Sequence, residues 1–245
     1  MKNFKKAIAL LLAAVLLVAA SVMGTIAYLT DSDKDVNTMS AGNVYIVQNE
    51  TDRNGGPYVD KQKLVPAVFN GTDYENVLDK FVTVTNTGTE PAYVRTILLF
   101  ENNADNEVME KIHLVMDDTD GQNAVWLLNA DGTPVLVNVN GTNYSIAVCT
   151  YDSVLAKDAT TAPSLEQVYL DPTADNSWYD LLGDDGEFSI IAFSQAVQAQ
   201  GFDNAENALN TAFGEVTSAA VAEWVATTGI ASTGDKNIIG GVTKP

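Results

Sequence analysis

Apolar positions in this chain follow two regimes. No residue from Ala7 to Met23 is charged, and Lys2, Lys5 and Lys6 precede that run, the basic-then-apolar order of a secretory signal peptide. Beyond Gly42 the apolar residues come in short runs: Asn43 to Gln48, Leu64 to Phe69, Lys80 to Thr85, Ala92 to Glu101, Lys111 to Met116, Ala124 to Asn129, Pro134 to Val139, Tyr144 to Tyr151, Gln167 to Leu170 and Glu187 to Phe193. Runs of this length bounded by turn residues predict strands, and many strands with few helices predict an antiparallel β-sandwich. Tyr144 to Tyr151 alternates with both faces partly apolar, which predicts a central strand. Asn54-Gly55-Gly56-Pro57, Asn70-Gly71, Asp120-Gly121, Asp131-Gly132 and Asn140-Gly141 supply the turns, and Asp131-Gly132 reads as a hairpin between two apolar segments.

Near the C-terminus the period lengthens. Asp203 followed by Glu206 has capping-box spacing, Ala205, Ala208, Leu209, Ala212 and Phe213 recur at helical intervals, and Gly214 stops the run. A second helix is predicted from about Ser218 to Thr227, with Val221, Trp224 and Val225 on one side. Together they form a short helical appendage, expected to cover one end of the sandwich.

The junction between the two regimes carries a family likeness. Gly24-Thr25-Ile26-Ala27-Tyr28-Leu29-Thr30-Asp31, followed by Asn37-Thr38-Met39-Ser40-Ala41-Gly42-Asn43-Val44, resembles the SipW-dependent secreted proteins of the TasA/camelysin family. Thr85 to Arg95 and Gln195 to Gly214 resemble the same group. The resemblance implies a jelly-roll-like sandwich and cleavage by a dedicated signal peptidase that reads Thr25 and Ala27 and leaves Tyr28 first. It also implies a structural role in extracellular biofilm-matrix or cell-surface fibres. Subunits of such fibres join by donor-strand complementation, which makes Leu29, Val36 and Met39 the candidate donor side chains. The expected organisation is a signal peptide over residues 1–27, a donor-strand or linker segment over 28–42, a sandwich over 43–233 with helices near 203–228, and a flexible tail over 234–245. The segment from Tyr28 to Ala41 is expected to be loosely held in an isolated subunit and to become a strand in a neighbour. A tether or an edge strand of its own domain is the alternative.

Charge narrows the partners. Loss of the three leader lysines from 13 basic residues leaves 10 against 32 acidic ones, a net charge of −22 for the mature part. Nucleic acid is excluded as a partner because phosphate binding needs a basic surface. Mutual repulsion keeps such subunits dispersed at neutral pH and is relieved by acid or divalent cations. Apart from the leader, no stretch approaches the roughly 20 apolar residues of a membrane helix, so no membrane attachment is expected after cleavage. The tail from Gly234 to Pro245 shows no LPxTG-like sorting signal and no apolar stop. A single cysteine, Cys149, rules out an internal disulfide.

Candidate chemistry is sparse. His113 is the only histidine, flanked by Ile112 and Leu114 in a predicted strand, and no H-E-x-x-H or G-x-S-x-G occurs. No enzymatic activity is therefore expected, and a camelysin-like metallopeptidase stands third among the readings, behind the structural protein and an adhesin or carbohydrate-binding module. Cys149 with His113 forms no recognisable nucleophile signature, and adjoining acids such as Asp117-Asp118 and Asp184-Asp185 arise by chance in so acidic a chain. No cofactor is expected beyond weak surface calcium at Asp180, Asp184, Asp185 and Glu187. Asp31-x-Asp33-x-Asp35 begins like an EF-hand loop but has Val36 for the required glycine and Gly42 for the closing glutamate. Trp126 belongs to an apolar stretch and is expected in the core. Trp178 and Tyr179 follow Asp175-Asn176-Ser177 in a predicted loop and are the candidate glycan contacts of an alternative function, a monomeric adhesin or carbohydrate-binding module. Other matrix proteins or polysaccharide are the expected further partners.

Overall fold

The computed structural model describes residues 30–33, 44–59, 62–116, 122–182, 187–228 and 238–239. The described chain is mainly β, with antiparallel sheets and helices near the C-terminus. Its strands are β1 (Thr30–Asp33), β2 (Ile46–Thr51), β3 (Val68–Phe69), β4 (Tyr74–Glu75), β5 (Leu78–Asn86), β6 (Ala92–Glu101), β7 (Ile112–Val115), β8 (Gln122–Trp126), β9 (Leu136–Val139), β10 (Thr142–Leu155), β11 (Leu165–Leu170), β12 (Ile190–Gln198) and β13 (Ile238–Ile239). Its helices are α1 (Asn176–Tyr179), α2 (Ala205–Phe213) and α3 (Ser218–Thr228).

The larger sheet has the order β1-β12-β6-β10-β8, with β13 also on β12 and β9 also on β10; the smaller has the order β2-β5-β11-β7. The chain passes between sheets at β1 to β2, β5 to β6, β6 to β7, β7 to β8, β10 to β11 and β11 to β12. This repeated crossing wraps one core between the two layers. Even-numbered residues of β6 and β12 and odd-numbered residues of β10 point inward, where Leu98, Phe100, Ala147, Cys149, Ile190 and Ala192 meet Val82, Val168 and Leu170 of the smaller sheet.

The opposite faces of these central strands are apolar too. Ile97, Leu99, Ile146, Ile191 and Phe193 pack under Val221 and Val225 of α3, and Tyr93 and Val197 pack under Ala205, Ala208 and Leu209 of α2. The helices therefore cover the outer face of the larger sheet rather than one end of the sandwich, because that face presents apolar side chains for their own apolar stripes to bury. All ten residues of β6 are buried as a result. At the start of α2 the capping side chain is Asn204, whose Oδ1 accepts from the Asn207 amide at 2.8 Å, in place of Asp203.

Two strand expectations change in detail. Leu64 to Phe69 contributes only its last two residues to a strand, since Pro66 has no amide hydrogen to give a ladder. β8 and β9 both pair with β10 end to end, and Asp131-Gly132 turns a small excursion between them, closed by the Leu128–Pro134 bridge. The turn from β9 into β10 uses Asn140 at φ 52° and Gly141 at φ 96°, the two left-handed residues of a type I′ hairpin.

A polar seam crosses the core. Thr96 and Ser194 hydroxyls lie 2.9 Å apart, Ser194 Oγ donates to Gln48 Oε1 at 2.7 Å, and Gln48 Nε2 donates to the Ala192 carbonyl at 3.2 Å and to Glu50 Oε1 at 3.3 Å. Glu50 in turn holds the ammonium of Lys80. Buried polar atoms satisfied in this way tie β2 and β5 of one sheet to β6 and β12 of the other in a single register.

Candidate functional site

β12 forms the last full-length strand on one side of the larger sheet. Its inner edge carries nine consecutive pairs with β6, from Ile190↔Phe100 to Gln198↔Ala92. Its outer edge is covered by two short pieces from the two ends of the described chain. β1 pairs antiparallel from Thr30↔Val197 to Asp33↔Ser194, and β13 pairs Ile190↔Ile239 and Ile191↔Ile238. Ala192 and Phe193 fall between them. A four-residue edge strand contributes only a few backbone hydrogen bonds, each worth about 1 kcal/mol net. β6, by contrast, is paired on both of its edges, with β10 and β12.

Part of the predicted donor segment thus lies in the edge position of its own domain, the alternative weighed for it. Thr30 to Asp33 pair with Val197 through Ser194. Thr25, Ala27, Tyr28, Leu29, Val36 and Met39 lie outside the described residues.

Trp178 and Tyr179 are not surface contacts. Asp175 caps α1 by accepting from the Ser177 amide, and the resulting helical turn aims both rings inward, leaving them 3 % and 7 % exposed. Trp178 Nε1 donates to the Val108 carbonyl at 3.0 Å, and the Tyr179 hydroxyl donates to the Leu64 carbonyl at 3.1 Å. Both polar tips are satisfied inside the protein, so the glycan-contact assignment to this pair is withdrawn. Trp126 is half-buried, packed against Phe100 with ring centroids 5.4 Å apart. It lines a cleft of about 480 Å³ together with Met109, Ile112, Leu114 and Met116, at the side of the sandwich where β7 and β8 are the terminal strands.

His113 and Cys149 are not brought together. Cys149 points into the core, its thiol donating to the Ser164 carbonyl at 3.7 Å, and burial pushes its pKa up to about 12. His113 is partly exposed on β7, with Nε2 2.8 Å from Asp171 Oδ2. Among the described residues no three His, Cys, Asp or Glu side chains converge as metal ligands. The calcium candidates Asp184 and Asp185 lie outside the described residues.

One surface feature escapes sequence reasoning. The imidazole of His113 stacks on Tyr169 at 4.8 Å and 15°, Tyr169 stacks on Tyr74 at 5.3 Å and 21°, and Tyr74 meets Phe69 at 5.3 Å. Phe69 and Tyr74, at the ends of the β3-β4 hairpin, are 56 % and 42 % exposed. The sequence signal for the hairpin half is an aromatic residue on each side of the Asn70-Gly71 turn, Phe69 and Tyr74. The other half depends on the register Tyr169↔His113, which only the assembled sheet supplies.

Among the described residues no helix is long and apolar enough to cross a membrane. Neither a scan of protein-family models nor a search of curated proteins returns a match for this chain.

Proposed function

We propose that this chain is a secreted structural protein of the TasA/camelysin kind, which builds extracellular biofilm-matrix or cell-surface fibres by passing its N-terminal strand to a neighbouring copy. The observation that carries this reading is the pairing of β1 along the outer edge of β12. β1 lies at the near end of the mature segment, joined to β2 by residues 34–45, and its antiparallel register on β12 is one that the same strand from a second copy satisfies equally well. The leader, the junction motif and the strongly acidic mature surface fit export and dispersal before assembly. Signal peptidase acts on the chain once, and other matrix proteins or polysaccharide are its further partners.

Deletion of Tyr28 to Ser40 tests the proposal. The truncated protein is expected to remain a folded monomer that shows no concentration-dependent scattering and no fibres in micrographs, while the mature protein assembles faster at low pH or with divalent cations. Fibres of the same form at the same concentration from the truncated protein would defeat it.

The row Phe69, Tyr74, Tyr169 and His113 favours a second reading, a surface-binding module that engages a partner or saccharide through exposed aromatic edges. Under that reading Phe69→Ala with Tyr74→Ala abolishes polysaccharide retention by a monomeric protein.

A further inference from the structure

Lys80 projects from β5 into the space between the sheets and is 1 % exposed, beside Leu64, Leu78, Val168, Phe188 and Ile190. Its ammonium contacts Oε2 of Glu50 and lies 4.2 Å from the centre of the Tyr58 ring. Glu50 stands opposite Val82 in the β2-β5 ladder, so Lys80 is its diagonal neighbour on the same inward face, within reach of a long side chain. The other carboxylate oxygen, Oε1, accepts from Gln48 Nε2 at 3.3 Å.

We propose that Lys80 and Glu50 condense into an intramolecular amide that cross-links β2 to β5. The ammonium first passes one proton to Oε2, leaving a neutral amine beside a neutral acid. Nζ then attacks Cδ, and the negative charge that develops on Oε1 faces the Gln48 amide. Nζ gives up a second proton to Oε2, which departs as water. The Nζ–Cδ bond forms, the Cδ–Oε2 bond breaks, and one water is the only other product. Nothing is oxidised or reduced, and no co-reactant is needed.

Three physical factors favour the product here. An ion pair withdrawn from water carries a large desolvation cost, and the neutral amide removes both charges. Nucleophile and carbonyl carbon are held together by the ladder, which replaces a bimolecular encounter with an intramolecular one. The apolar surroundings on the Lys80 side offer little room for the water that would reverse the reaction. A covalent link between residues 30 positions apart would also give the fold a closed loop that its single cysteine cannot supply.

Mass spectrometry of the purified mature protein tests this directly. The intact denatured chain is expected to be lighter than its sequence by one water, and a tryptic digest is expected to contain a branched peptide joining the Glu50 segment to the Lys80 segment. Lys80→Met should abolish the branched peptide and restore the full mass; if that variant does not fold, the wild-type digest decides alone. A wild-type chain of full sequence mass, with trypsin cutting freely after Lys80 and no branched species, overturns the proposal.

Discussion

Arg95 on β6 donates through Nε to Oε1 of Gln195, its directly opposed partner on β12, at 2.7 Å. The same guanidinium reaches Asn210 Oδ1 at 2.9 Å and the Gly214 carbonyl at 3.0 Å, and it lies 5.3 Å from the Trp224 ring. One buried side chain therefore latches α2 and α3 onto the sheet. Burial lowers its pKa to about 10. Because the unfolded chain holds that proton more tightly, the burial cost is present at neutral pH and relieved only as pH rises above about 10. Arg95→Ala strands three neutral acceptors and is expected to cost about 3 kcal/mol. Hydrogen exchange should show the amides of α2 losing protection before those of β6; equal loss in both would contradict the latch.

Trp178→Ala is expected to destabilise the protein by about 3 to 5 kcal/mol, the range for emptying a buried aromatic site. It also leaves the Val108 carbonyl without the indole donor. Denaturant titration measures the loss. A near-neutral change in stability accompanied by loss of glycan binding would return this ring to the surface role.

Acid should weaken the fold in a defined window. The carboxyl of Asp171 is held well below the usual carboxylate range by the Thr173 hydroxyl, then by His113 and the Thr173 amide. Asp131 is lowered by Thr133 and Asp175 by Ser177. A folded pKa below the unfolded value adds stability above about pH 4 that is lost as pH falls through and below it. These groups sit at the surface, so screening keeps each contribution small. In thermal melts from pH 7 to about pH 2, Asp171→Asn should lose less stability than the wild type; parallel curves would show that Asp171 contributes nothing.

Cys149 should be inert in the native protein. Its thiol is 2 % exposed with a pKa raised to about 12 by desolvation, so little thiolate is available and reagent cannot reach it. Alkylation is expected only after denaturation. Rapid labelling of the folded protein, or a disulfide-linked dimer in oxidising buffer, would refute this.

Alternation and turn residues made most of the sandwich legible: Ala92 to Glu101 was readable to the residue, and Asn140-Gly141 marked its hairpin. What stayed hidden depends on partners far away in sequence. The double-sided apolarity of Tyr144 to Tyr151 in β10 announced a central strand, yet not that α2 and α3 cover one face of its sheet. Trp178 followed polar residues and looked like a loop tip, whereas the Asp175 cap turns it inward. β1 carries Thr, Asp, Ser and Asp, with no apolar alternation, so only its backbone pairing with β12 identifies it as a strand. The aromatic row joins a local hairpin to Tyr169 and His113, which are distant in sequence from the hairpin and from each other, a proximity that no sequence window contains.

The helical cover has a consequence for aggregation. Cross-β spines pair sheets face to face at about 10 Å. With α2 and α3 seated on the larger sheet, the outer face of that sheet is closed to such stacking over Tyr93, Ile97, Leu99, Ile146, Ile191, Phe193 and Val197. A cross-β spine built on the outer face of the larger sheet would therefore have to come from molecules that had shed both helices.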